Sequence, residues 1–145
     1  MKEYEGNWHN GEQHGFGKEY SKTGELEFSG NFKDGIYDGK GILYYSSGQP
    51  QHDGYWKRGY PWGLGISYWP NGKPRYSGDH KKGRIQGNGV SYYESGQKFY
   101  EGSFLKYKCH GKGTYYYESG QIRYEGLLKN GLYCGKGSLY DENGS

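Results

Sequence analysis

Tyr4-Glu5-Gly6-Asn7-Trp8-His9-Asn10-Gly11-Glu12-Gln13-His14-Gly15-Phe16-Gly17-Lys18-Glu19-Tyr20 is the first of six near-copies that follow one another without an insertion. With its first glycine taken as offset 0, further glycines stand at offsets 5, 9, 11 and 18, and a tyrosine at offset 14. The places recur every 24 residues: Gly6, Gly30, Gly54, Gly78, Gly102 and Gly126 open six units, and Tyr20, Tyr44, Tyr68, Tyr92, Tyr116 and Tyr140 mark their later parts. Of the thirty glycine sites this lattice defines, 29 are filled and Tyr107 takes the last, which accounts for all 29 glycines of the chain.

The remaining offsets show what kind of element repeats. At offset −2 stand Tyr4, Phe28, His52, Tyr76, Tyr100 and Tyr124, and at offset 2 Trp8, Phe32, Trp56, His80, Phe104 and Leu128. Residues two apart in a strand share a face, so each Tyr-x-Gly-x-Trp segment sets two rings on one side with a gap between them. Odd offsets are mostly polar, as in Glu5, Ser29, Asp53, Ser77, Glu101 and Glu125, which is the alternation of a half-exposed strand. Asn10-Gly11, Asp34-Gly35 and Asn130-Gly131 then signal a tight turn, and Ser47-Gly48, Asn71-Gly72 and Ser95-Gly96 a second one. Each unit therefore reads as one β-hairpin. The chain is expected to be all-β: a single-layer antiparallel meander of six hairpins, about twelve strands and about 55 Å long, over residues 1–145. In such an array each hairpin buries its rings against the next, the energetic logic of a solenoid. The glycines at offsets 9 and 11 are expected to make room for the rings.

Composition agrees. The 145 residues contain no Ala, and one in five is Gly, which costs about 1 kcal/mol against Ala inside a helix and excludes a helical domain. Leu, Ile, Val and Phe are scarce enough to border on disorder, but the net charge is only +3 and 19 Tyr, 5 Phe and 4 Trp provide an aromatic core instead. No run approaches the roughly 20 apolar residues of a membrane span, and Met1-Lys2-Glu3-Tyr4 opens no signal peptide. A cytoplasmic location is expected, with peripheral attachment to membranes left open.

The pattern Tyr4-x-Gly6-x-Trp8-x-x-Gly11-x-x-x-Gly15-x-Gly17-x-x-Tyr20 resembles the MORN (membrane occupation and recognition nexus) repeat, in its 24-residue form. The resemblance covers almost the whole chain. It departs where His52 and His80 take ring positions, where Leu128 replaces an aromatic ring and where Tyr107 replaces a turn glycine. It implies an elongated, non-catalytic scaffold that binds phospholipids, partner peptides or other copies of itself, and some relatives of this form imply an antitoxin or immunity role.

Other chemistry finds little footing. The recurrent Gly-x-Gly has no helix after it and so is no phosphate loop. The five histidines include no i, i+4 pair and no zinc spacing, so neither metal nor cofactor is expected. Cys109 and Cys134, one hairpin apart, should lie about 9–10 Å from each other, too far for a disulfide, and are expected as free thiols. No nucleophile, base and orienting group converge, so no enzyme is expected.

Binding is the remaining option. A single layer is expected to leave the rings of Tyr4, Trp8, Phe28, Phe32, Trp56, Tyr76, Tyr100, Phe104 and Tyr124, with the offset-14 tyrosines, as an exposed furrow for a partner segment or another copy of the chain. Trp56→Ala is expected to abolish capture with the sheet intact. Charge supplies the alternative: residues 57–112 hold eleven Lys and Arg against three acids, +8, and the rest of the chain −5. Lys57, Arg58, Arg75, Lys81, Lys82, Arg84 and Lys106 are expected to line one sheet edge, where they would meet anionic lipid at about 1 kcal/mol per residue, or only keep the edge soluble. Nucleic acid is disfavoured by a pI of about 8.6. Both terminal strands are expected as open edges, suited to oligomerisation or to a longer array.

Overall fold

The computed structural model describes residues 3–143, apart from the side chains of residues 133–135. They form one open antiparallel sheet of twelve strands in chain order. Six hairpins make it: β1 (Glu3–His9) with β2 (Glu12–Tyr20), β3 (Leu26–Lys33) with β4 (Ile36–Tyr44), β5 (Pro50–Lys57) with β6 (Tyr60–Tyr68), β7 (Pro74–Lys81) with β8 (Arg84–Tyr92), β9 (Lys98–Leu105) with β10 (Lys108–Tyr116), and β11 (Ile122–Lys129) with β12 (Leu132–Leu139). The all-β hairpin meander is thus as the repeat implies.

The turns follow from their residues. Asn10, Asp34, Arg58, Lys82, Lys106 and Asn130 all have φ near +50°, and each is followed by a second left-handed residue, the two-residue mirror turn that fits the twist of a hairpin. Tyr107 is forced into the same conformation, φ 72°, where every other unit has glycine. Consecutive turns are joined along this edge, because the amides of Gly35, Gly59, Gly83, Tyr107 and Gly131 donate to the carbonyls of Gln13, Tyr37, Pro61, Ile85 and Cys109 in the unit before. At the opposite edge the hydroxyls of Tyr45, Tyr93 and Tyr117 donate to the carbonyls of Tyr68, Tyr116 and Tyr140 one unit on, at 2.6–2.9 Å.

Across the middle of the sheet runs an unbroken stripe of glycine. Gly6 pairs with Gly17, Gly17 with Gly30, Gly30 with Gly41, and so on to Gly126 with Gly137. The offset −2 rings lie over it: a Cβ on Gly41 would sit inside the Phe28 ring, and one on Gly113 against the Tyr100 ring. The offset 9 glycines do something else, contrary to expectation. Gly39, with φ 105°, sits where the hairpin register jumps between Gly30–Gly41 and Phe32–Tyr37, so it turns the strand through a bulge and houses no ring.

The rings do not stack like on like from unit to unit. From Tyr4 to Tyr76 each offset −2 ring meets edge to face the offset 2 ring of its own unit and that of the next: Tyr4 with Trp8 at 4.9 Å and Phe32 at 5.1 Å, Phe28 with Phe32 at 5.3 Å and Trp56 at 5.5 Å, Tyr76 with His80 at 5.1 Å and Phe104 at 5.2 Å. The result is a zigzag that uses the edge-to-face geometry preferred by aromatic quadrupoles.

Candidate functional site

The zigzag changes the expected furrow. Phe28, Phe32, Trp56, Tyr76, Tyr100, Phe104 and Tyr124 are all at most 6% exposed, so these seven rings are a core and not an open surface. Trp8 is 61% exposed and Tyr4 half-buried, because β1 has no earlier hairpin in the structure to cover them. Two rows of side chains that the ring pattern alone did not reveal supply the cover. Offset 7 faces the offset 2 rings, as in Phe32 opposite Tyr37, His80 opposite Ile85 and Phe104 opposite Cys109. Offset 13 faces the offset −2 rings, as in Phe28 opposite Leu43 and Tyr100 opposite Tyr115. Tyr37 stacks flat on Phe28 at 3.7 Å and donates its hydroxyl to Glu19 at 2.9 Å, and burial followed by that bond holds the hydroxyl protonated far above its usual range.

The offset-14 tyrosines, the most regular feature of the sequence, belong to the opposite face. Tyr116 there approaches Glu101 at 3.4 Å, beside the Lys98–Glu101 ion pair at 3.0 Å. Alternation explains it: offsets 13 and 14 are neighbours on one strand, and Gly17 opposite Gly6 puts offset 13 on the side of the rings.

Among the described residues the cover is missing in the middle of the array. Offset 13 is Leu43 in the second unit and Tyr115 in the fifth, but Ser67 and Ser91 in the third and fourth. There the ring face opens into a groove of about 350 Å³, walled by Leu43, His52, Trp56, Ser67, Tyr76 and Ile85. Arg75 and Tyr107 also border it, and the Arg75 guanidinium lies over the Trp69 ring at 4.7 Å. This corrects the expected cation row, since Arg75 is the second residue of β7, near the second turns, whereas the lysines occupy the first turns.

His52 and His80, 28 residues apart in sequence, meet in the floor of the groove with ring centroids 4.8 Å apart and at most 6% exposure. His52 Nδ1 is 3.1 Å from the Ser67 hydroxyl, and its Nε2 is buried with no hydrogen-bond partner. Burial, and secondarily His80, pushes the His52 imidazole down to about 4. Burial lowers His80 as well, against the pull of the Gly63 and Gly78 carbonyls. The pair is therefore neutral near pH 7, two polar rungs in an aromatic ladder. His9 and His14 also come together, at 5.2 Å, though no i, i+4 spacing marked them.

Of the expected cations, Lys57, Arg58, Lys82 and Arg84 gather with Tyr60 and Trp62 around a second, open cleft between the turns of units three and four. Lys81 and Lys106 are exposed on the same edge. Among the described residues no three His, Cys, Asp or Glu side chains cluster as metal ligands, and no helix is long and apolar enough to cross a membrane. Cys109 is a free thiol whose ionisation burial opposes, while the side chain of Cys134 lies outside the described residues.

Comparison with known families agrees with this architecture. The model of the MORN repeat matches residues 4–25, 28–49, 52–73, 76–98, 100–122 and 124–145, one match for each hairpin. No curated protein matches the chain. A repeat whose period, turns and ring pairs all coincide with the six hairpins, matched from residue 4 to residue 145, makes this chain a member of the MORN repeat family.

Proposed function

We propose that the chain is a non-catalytic scaffold that holds a segment of a partner protein, or of another copy of itself, in the ring-face groove of units three and four. The observation that carries this reading is the break in cover at Ser67, where the ring face opens into a groove walled by Leu43, Ser67 and Ile85, with the buried rings of Trp56, His52 and Tyr76 lining its floor. MORN repeats in general serve protein or lipid interactions, and the aromatic walls suit an apolar side chain inserted from a peptide. Arg75 at the border would favour an acidic flank on that peptide.

Selection of peptides from a random display library tests the reading. Ser67→Leu restores the cover found at Leu43, so selected peptides should lose binding to this variant while the β-sheet spectrum and thermal midpoint are kept. Peptides that bind wild type and Ser67→Leu alike, or no peptide selected at all, would overturn it. Trp56→Ala, the substitution first suggested by the ring pattern, is unsuitable because Trp56 is part of the core and donates its indole N–H to the Gly41 carbonyl at 3.0 Å.

A further inference from the structure

The first-turn edge of the sheet changes character along the array. Offsets 3, 4, 6 and 8 of each unit surround its two-residue turn. In units one and two these places hold Glu12, Asp34 and Asp38 against Lys33, whereas in units three to five they hold seven Lys and Arg and no acid. The last acid, Asp38, is engaged by the Arg58 amide, which donates to its carboxylate at 3.3 Å. The whole-chain pI averages this away, since the +8 of residues 57–112 is offset by −5 elsewhere.

Between the turns of units three and four the edge is concave. Lys57, Arg58, Lys82 and Arg84 surround an open cleft of about 740 Å³ together with Tyr60 and Trp62. Among the described residues these four cations have no ion-pair partner. Lys57 Nζ lies over the Trp62 ring at 4.7 Å, and Tyr60 is 58% exposed. Cations without an ion-pair partner, set beside one exposed and one half-buried aromatic ring, call for a ligand with both negative charges and flat rings.

Shape decides among anionic ligands. A bilayer is met by rings that protrude beyond the surrounding cations, but Trp62 is half-buried inside the cleft beneath Lys57. An acidic peptide would satisfy the charges and leave the rings without a purpose. A nucleic acid duplex hides its bases within the stack. A single strand alone offers alternate phosphates and free base faces, the combination that basic grooves with aromatic platforms hold without sequence preference. Unit three to unit five spans about 20 Å at twice the strand spacing per unit, the reach of a few nucleotides.

We propose that the turn edge of units three to five binds single-stranded nucleic acid, with phosphates against Arg58, Lys82 and Arg84 and bases on Trp62 and Tyr60. This surface is separate from the ring-face groove, so Ser67→Leu leaves it unchanged. The test is fluorescence anisotropy with a short labelled oligothymidylate, set against a duplex of equal length, polyglutamate and phosphatidylserine vesicles. The expected result is salt-dependent binding of the single strand in preference to the other three. Trp62→Ala should weaken it roughly tenfold, and Trp62→Phe should keep most of it, because any aromatic ring gives a stacking face. Lys82→Glu with Arg84→Glu should remove binding. Both residues are exposed, so this variant decides the matter even where Trp62→Ala fails to fold. Wild-type affinity in Trp62→Ala, equal binding of duplex or polyglutamate, binding of vesicles alone, or no binding at all would overturn the proposal.

Discussion

The Tyr100 hydroxyl donates to the carbonyl of Ser103, three residues along the same strand, at 2.9 Å. The same bond joins Tyr4 to Asn7 at 2.8 Å, Tyr76 to Asp79 at 2.9 Å and Tyr124 to Leu127 at 2.8 Å. In each case the carbonyl belongs to the residue that the hairpin register passes over just after the glycine, as between Gly78 and His80. One tyrosine thus covers the glycine stripe with its ring and satisfies, with its hydroxyl, an acceptor that the bulge releases. Phe28 has no hydroxyl to do this, and the His52 ring ends over Gly65.

Tyr100→Phe keeps the ring and removes the bond. Since Tyr100 is buried and the bond half-buried, unfolding in urea should show a loss of about 1 kcal/mol, with the slope of the transition unchanged. A midpoint equal to wild type would show that water replaces the tyrosine without cost.

His52→Tyr should act in the opposite direction by giving unit three the missing hydroxyl, which by the pattern of Tyr76 and Tyr100 would donate to the carbonyl three residues on, that of Tyr55. A gain of about 1 kcal/mol at pH 7 is expected, and a loss would mean that the His52–Ser67 contact matters more.

Acid sensitivity follows from the same pair. The folded His52 titrates at about 4 and the unfolded imidazole at its ordinary 6.5, so as pH falls the unfolded chain binds the proton first. The stability contributed by the neutral ring is complete above about pH 6.5 and is lost as pH falls from there to about 4, at roughly 1 kcal/mol per pH unit. The neighbouring His80 adds in the same sense. Denaturant titrations at pH 7 and pH 5 should differ for wild type and differ much less for His52→Phe; identical slopes against pH would remove the pair as the cause.

Two glycines separate the roles of the lattice. Gly41→Ala drives a methyl into the Phe28 ring and should cost about 3 kcal/mol by overpacking. Gly24→Ala, at φ 86° with nothing within 4 Å, meets only backbone strain and should cost about 1 kcal/mol. Equal losses in thermal denaturation would mean that the ring of Phe28 moves aside freely.

The hairpins, their turns and their order were legible because each depends on residues close in sequence: Asn10-Gly11 bends the chain whatever lies around it. The furrow was misjudged because burial is decided between units. Tyr37 and Tyr115 come from strands opposite the obvious rings, and only the glycine register shows that they share a face with Phe28 and Tyr100. The signal for the groove is Ser67, a small residue in a column that holds Leu43 and Tyr115. Arg75 was grouped with the lysines by charge, although its place just after Asn71-Gly72 puts it at the other edge.

The glycine stripe makes the array editable. Excising any 24 consecutive residues rejoins glycine to glycine and ring to ring, so that the shortened sheet keeps every register of the longer one, whereas removal of twelve would set a bulge-forming strand against its like. Length is thereby the property such a protein changes with least new invention. Loss of the third unit would close the aromatic core without a histidine pair, and would take with it the groove and half of the basic cleft.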